Sequence, residues 1–305
     1  MQDDLAIRLE GIHKMYGVKV AVDDLDLSIR RGIICGLLGP NGAGKTTTIR
    51  IILDIIGADR GTVEVLGGPL NGDTRDRIGY LPEERGLYAK MKVRETLVFL
   101  AALKGTRRRA AEEKASRWLD RLGLGTWADR RVDELSRGMQ QKVQFIGTVL
   151  HDPDLLILDE PFSGLDPLNV DLLKEIVLEQ KQRGATVLFS THNMDQAERL
   201  CERVVMIRNA RKVLDGTLAE IKREAWEAGQ RRVLLAFDSG DPAFLADRSL
   251  VQGTQSEGTH LAVALQERVE PQRLLERALA AGARIRRFEV SEPSLHEIFV
   301  ARARE

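Results

Sequence analysis

The chain has 305 residues, and its 46 Lys plus Arg are balanced by 46 Asp plus Glu, so the formal net charge is zero. That balance argues against a nucleic-acid binder working through a large basic face, while a 43% hydrophobic fraction suits two core-bearing domains. No apolar run approaches the ~18 residues of a membrane-spanning helix, so any membrane role has to come through a partner. The N-terminal MQDDLAIRLE is acidic and lacks an apolar signal segment, which predicts a cytoplasmic protein. Cys35 and Cys201 lie in apolar contexts and read as buried thiols of a reducing compartment.

In chain order, Ile7, Leu9 and Ile12 give one partly alternating run, and residues 18–27 a second, interrupted at Asp23 and Asp24. Both predict strands. Residues 33–38 form a short apolar run that ends in a glycine-rich turn. Residues 46–56 carry Ile49, Ile52, Leu53 and Ile56 at helical spacing. Short strands are predicted at 61–66 and 77–81.

From 93 to 150 the pattern turns helical, with helices at 93–104, 108–122 and after Ser136. Arg107, Arg108 and Arg109 form either an interaction patch or a solvated helix start. Strand–helix alternation returns over 155–158, 170–182, 186–190, 194–201 and 204–207, so an α/β core with a helical insert is expected. After Glu220 a linker helix leads to a second unit in β-β-α-β order. Its strands are predicted at 232–237, 260–265 and 284–290, and its helix at 270–281 is capped by Gly282. No cluster of polar or aromatic residues there predicts a pocket.

Gly39-Pro40-Asn41-Gly42-Ala43-Gly44-Lys45-Thr46 fits G-x-x-x-x-G-K-[ST] between a strand and a helix. Glycines let backbone N–H groups curl around phosphate oxygens, and the helix start turns its positive dipole end to the same anion. Lys45 supplies a charge for the β- and γ-phosphates, and the Thr46 hydroxyl can ligate Mg²⁺. Asn41, Ala43 and Thr47 complete the candidate ATP contacts. The run Leu155-Leu156-Ile157-Leu158-Asp159-Glu160 carries two carboxylates to a strand end. Asp159 is placed to hold Mg²⁺, and Glu160 to accept a proton from an attacking water.

Between these motifs, Leu135-Ser136-Arg137-Gly138-Met139-Gln140-Gln141 resembles the signature of ATP-binding cassette (ABC) ATPases, and Ser136 is also a helix N-cap candidate. Ser163-Gly164-Leu165-Asp166 resembles the family's D-loop, and His192, after Ser190-Thr191, its switch histidine. Tyr16 resembles the aromatic that stacks on adenine, and could equally belong to the core. This ordered set covers residues 5–220. The resemblance implies an α/β P-loop NTPase cassette: a RecA-like core, an antiparallel β-subdomain and a helical insert at about 86–150. Residues 1–224 would form it, and 225–305 a small α+β domain.

The family fold implies a head-to-tail dimer in which Ser136 and Gly138 of one subunit, with Asp166, meet the ATP held by the other's P-loop. One copy of each motif means that two such chains pair, as a homodimer or with a second ABC ATPase subunit. The sequence departs from the family in two places. Glu83, in Leu81-Pro82-Glu83-Glu84-Arg85-Gly86, stands where the family usually has glutamine. Its carboxylate can ligate Mg²⁺ but cannot donate a hydrogen bond, and its charge needs Mg²⁺, Lys45 or Arg85 as a counterweight. Arg137 replaces the commonest glycine, and either adds a charge near the partner's γ-phosphate or faces solvent.

These runs, with the C-terminal Glu292-Pro293-Ser294-Leu295-His296-Glu297-Ile298-Phe299, resemble ATPases of bacterial ABC-2 type exporters, the sodium and drug efflux group. The resemblance implies ATP hydrolysis coupled to export through a separate ABC-2 type transmembrane permease, at the inner face of the membrane. A soluble ABC ATPase acting on nucleic acid or ribosomes is the second class. The neutral charge and the single cassette argue for a partner set without nucleic acid. A non-hydrolysing switch is the third, disfavoured by Glu160 and His192.

Overall fold

The computed structural model describes residues 4–84, 86–240, 242–266 and 269–302. They divide into two compact units, Met1–Asp215 and Gly216–Glu305. The first runs β1 (Leu5–Tyr16), β2 (Lys19–Arg30), β3 (Ile34–Leu38), α1 (Lys45–Ile52), β4 (Arg60–Val65), α2 (Gly72–Asp76) and β5 (Ile78–Leu81). It continues through α3 (Val93–Leu103), α4 (Arg108–Arg121), α5 (Arg137–Val149), β6 (Leu155–Asp159), α6 (Pro167–Gln182), β7 (Thr186–Thr191), α7 (Met194–Leu200), β8 (Arg203–Arg208) and β9 (Arg211–Thr217).

One sheet has the order β5-β6-β7-β3-β8-β9. Its β5, β6, β7, β3 and β8 pair in parallel and are buried almost throughout, as strands covered on both faces must be. A second, antiparallel sheet has the order β2-β1-β4. Ile7, Leu9 and Ile12 on β1 face Ile29, Leu27 and Leu25 on β2, and these side chains share a core with Ile49 and Ile52 of α1. The expected interruption at Asp23 and Asp24 is a bulge within a continuous strand, with Asp24 at φ +52°. β9 escapes the sequence pattern because its hairpin turns on Asn209 and Ala210, both at positive φ, without the glycine that usually marks such a turn.

The second unit contains α8 (Leu218–Glu227), β10 (Arg232–Phe237), β11 (Val251–Glu257), β12 (His260–Leu265), α9 (Pro271–Ala280), β13 (Ile285–Ser291) and α10 (Leu295–Arg302). Its antiparallel sheet has the order β11-β12-β10-β13, with Val233, Leu235, Val263, Leu265 and Leu274 in its core. The β-β-α-β expectation therefore lacked β11 and α10. The units part at Asp215, whereas the sequence put the boundary at 224. Thr217 caps α8 in a box with Glu220, and the helix buries Ile221 and Ala225, so it is an element of a folded unit rather than a free linker. A cavity of about 210 Å³ also lies beside Gln252, Thr254, Gln255, Ala262, Ala264 and His296, where no pocket was expected.

His151, between α5 and β6, places Nε2 3.2 Å from Ile78 O, while its Nδ1 is buried without a hydrogen-bond partner among the described residues. Burial, reinforced by the charge of Lys104, pushes its pKa down to about 4. The folded protein thus keeps this imidazole neutral where the unfolded chain protonates it. Stability is fully present above the unfolded value of about 6.5 and is lost as pH falls toward about 4. Between pH 7 and pH 5 the loss is about 2 kcal/mol. Denaturant melts at the two pH values should show it in the wild type and not in His151→Gln.

Candidate functional site

The phosphate loop lies between β3 and α1 because the backbone there cannot tolerate side chains. Gly39 has φ +148°, and a Cβ would stand 2.2 Å from Ile207 O. Gly44, at φ +113°, would meet Ala21 O at 2.3 Å. The first intrahelical bond of α1 runs from Thr48 N to Gly44 O, so the N–H groups of Lys45, Thr46 and Thr47 precede it and are available to an anion. Lys45 is 6% exposed, and its ammonium donates to Gly39 O at 2.8 Å and Pro40 O at 3.3 Å.

A cleft of about 370 Å³ opens over this loop, lined by Tyr16, Lys19, Ala21, Asn41, Gly42, Gly44, Lys45, Thr46, Thr47, Glu83 and Glu160. Tyr16 is half exposed at the end of β1, so it belongs to the cleft wall and not to the core. Lys19, a cation on that wall, was not singled out by the sequence reading. Ala43 is buried behind the loop, its N–H bonded to Pro40 O.

Strand β6 delivers the carboxylates, and β7 delivers the serine that holds them. Asp159 is 1% exposed. The Ser190 hydroxyl donates to Asp159 Oδ1 and accepts from the Glu160 backbone N–H at 3.0 Å. Ser190 thereby fixes both acidic residues, a role the sequence reading missed. Glu160 sits at φ +48°, a left-handed conformation that costs a non-glycine residue about 1–3 kcal/mol and is concentrated at functional sites. Its Oε1 lies 3.6 Å from Lys45 Nζ and accepts from His192 Nδ1 at 3.0 Å.

Asp159 Oδ2 is buried and has no hydrogen-bond partner among the described residues. With the Thr46 hydroxyl and Glu83 bordering the same region, the available donors are all oxygen, the set that suits Mg²⁺. Among the described residues no three His, Cys, Asp or Glu side chains converge as a metal cage. Mg²⁺ typically keeps much of its water and binds one or two protein carboxylates plus substrate phosphates. Arg85 lies outside the described residues.

Ser136, Gly138 and Asp166 do not line the cleft. Ser136 is exposed and caps α5, accepting from Met139 N at 3.3 Å. A Cβ at Gly138 would lie 3.7 Å from Leu165 Cδ2, so signature and D-loop are neighbours in one chain. Asp166 caps α6, where the Asn169 side-chain and backbone N–H groups hold its carboxyl below the usual range. Arg137 is exposed.

Over 96% of its length, and 97% of the relative's, the chain is 43% identical to the ABC transporter ATP-binding protein YhaQ of Bacillus subtilis (strain 168). The chain belongs to the ATP-binding proteins of ABC transporters. Residues 22–163 match the family described as ABC transporter. Residues 216–303 match the DrrA1-3-like C-terminal domain of ATP-binding proteins. The daunorubicin/doxorubicin resistance ATP-binding protein DrrA of Streptomyces peucetius is 33% identical, over 98% of this chain and 93% of its own. A solved structure of an ATP-binding subunit of an ABC transporter superposes with a TM-score of 0.68 at 34% identity, covering 72% of this chain and 92% of that one. This ABC protein is an ATPase that binds ATP, and its family works as dimers with a membrane permease. Among its described residues no helix is long and apolar enough to cross a membrane. The relatives named here are transporter subunits, which leaves the nucleic-acid alternative without support.

Proposed function

We propose that this ABC ATPase drives export through an ABC-2 type permease from the cytoplasmic face of the membrane, with Mg²⁺-ATP bound in the 370 Å³ cleft. The observation that carries the reading is the convergence of Lys45, Glu160 and His192 on one point below the phosphate loop. Tyr16 stacks on adenine. The loop 39–47 holds the phosphates, with Lys45 on the β- and γ-phosphates. Asp159, Thr46 and Glu83 hold the cation, which when bound neutralises phosphate charge. Glu160 takes the proton of the attacking water, and His192, donating to its Oε1, keeps that carboxylate oriented. Ser136 and Gly138 act on the nucleotide of the other subunit, beside Asp166. The export direction is supported by relatives such as DrrA and the Nod factor export ATP-binding protein I of Sinorhizobium fredii (strain NBRC 101917 / NGR234), 40% identical over 70% of this chain and 64% of its own.

The insert carries the surface for the permease. Tyr88 and Phe99 pack edge to face at 5.4 Å, yet both stay exposed, and Leu103, one turn after Phe99 on α3, is 60% exposed. Exposed aromatics grouped this way mark a contact surface. Pull-down of the tagged chain from native membranes in mild detergent should retain a polytopic membrane protein. Phe99→Asp should lose it while keeping ATP turnover. A variant that retains the partner undiminished places the docking surface elsewhere.

A further inference from the structure

Helix α5 turns Gln141, Gln144 and Thr148 to its buried side at i, i+3, i+7 spacing. Each reaches a backbone carbonyl of a different segment. Gln141 Nε2 donates to Pro161 O at 2.8 Å, one residue beyond Glu160. Gln144 Nε2 donates to Glu84 O at 3.2 Å, one residue beyond Glu83. Thr148 Oγ1 lies 3.3 Å from Tyr80 O on β5. At that place the backbones nearly touch, since a Cβ on Gly79 would stand 2.4 Å from Thr148 O. The helix is thus seated on β5, and from that seat two amides hold the two segments that carry Glu83 and Glu160.

Both amides wall a cavity of about 180 Å³ together with Glu83, Asp159, Glu160 and Ser163. Three carboxylates border this space, and like charges so close repel by an amount that depends steeply on separation. Glu83 is exposed and sits on a loop, so with nothing to hold its segment it would turn to water. Gln144 is 8% exposed. A buried amide is costly unless hydrogen-bonded, and the partner found for its N–H is the Glu84 carbonyl.

We propose that Gln144 is a positioning residue: it holds the 82–84 segment so that Glu83 faces the cation side of the nucleotide, and joins that segment to the helix capped by Ser136. This rests on the reading of Glu83 as a Mg²⁺ ligand. The clamp makes the metal-side loop and the signature helix one mechanical piece, so that a nucleotide gripped at Glu83 displaces the same helix whose N-terminus meets the other subunit.

The test measures binding of a fluorescent ATP analogue in Mg²⁺ and in EDTA, and compares the ratio of the two affinities. Glu83→Gln removes one negative charge from beside the phosphates, and should cut that ratio by about tenfold. Gln144→Leu keeps the volume and removes the donor. It should lower the ratio similarly, and the double variant should fall no further. Amide exchange at Glu83 and Glu84 should speed up in nucleotide-free Gln144→Leu. Gln144→Met serves the same measurements if the leucine variant does not fold. A fall in Glu83→Gln with none at Gln144, or falls that add, overturns the positioning role. An unchanged ratio in Glu83→Gln overturns the Mg²⁺ reading of Glu83 itself.

Discussion

Glu160→Gln should retain ATP binding and lose most turnover, by about 10²–10⁴-fold, the range of general-base contributions. The substitution preserves size and leaves an amide oxygen to accept from His192, so the 3.0 Å contact to Nδ1 can survive. The Ser190 bonds to the Glu160 backbone and to Asp159 do not involve the changed side chain. What disappears is the basic oxygen 3.6 Å from Lys45 Nζ. Losing it also relieves Lys45 of a competing anion, so affinity for ATP should hold or rise. With ATP neither hydrolysed nor released, the dimer should stay closed, seen as a shift to double mass in gel filtration. Phosphate release at the wild-type rate would remove Glu160 from the reaction.

The phosphate loop was legible because its demands fall on the backbone. Positive φ at Gly39, Gly42 and Gly44, with carbonyls packed where the Cβ atoms of Gly39 and Gly44 would stand, leaves few residue types to choose from. Asp159 and Glu160 were legible only in combination: alone, an apolar strand ending in two carboxylates reads as a surface pair, and the phosphate loop earlier in the chain is what turns it into a ligand site. Ser190 was not. A serine in a buried strand carries no spacing signal, and its role arises only when β6 and β7 pair and bring its hydroxyl to Asp159. Gln144 was hidden in the same way, since a polar residue in a helix ordinarily marks the solvent face.

The elements that escaped notice follow the same division. β11 has Gln252, Gly253, Thr254, Gln255 and Ser256 in a row, with no alternation, and its strand conformation comes from pairing with β12. Helix α10 did carry a local signal. Ser294 and Glu297 form a capping box, with Glu297 Oε2 accepting from the Ser294 N–H at 2.7 Å and Glu297 N–H donating back to Ser294 Oγ at 3.2 Å. Glu83 was visible as a departure, yet its setting between two cavities depends on where the 82–84 segment runs.

Mixing a Lys45→Ala chain with a Ser136→Arg chain should restore ATPase activity that neither has alone. Ser136 is exposed at the N-cap of α5 and lines no part of the cleft that holds Lys45. If it acts on a nucleotide, that nucleotide belongs to another subunit. Each homodimer then has one lesion at both of its sites. A mixed dimer places both lesions at one site and leaves the other with an intact Lys45 and an intact Ser136. Equal amounts that associate at random give mixed dimers for half the population, so about a quarter of all sites are whole and activity should recover to about that fraction if sites act independently. Ser136→Arg also forfeits the cap on Met139 N, worth about 1 kcal/mol, so thermal stability is measured beside activity. Cross-linking of differently tagged chains verifies that mixed dimers form. If they form and the mixture stays inactive, Ser136 serves only its own chain or none, and the head-to-tail arrangement fails.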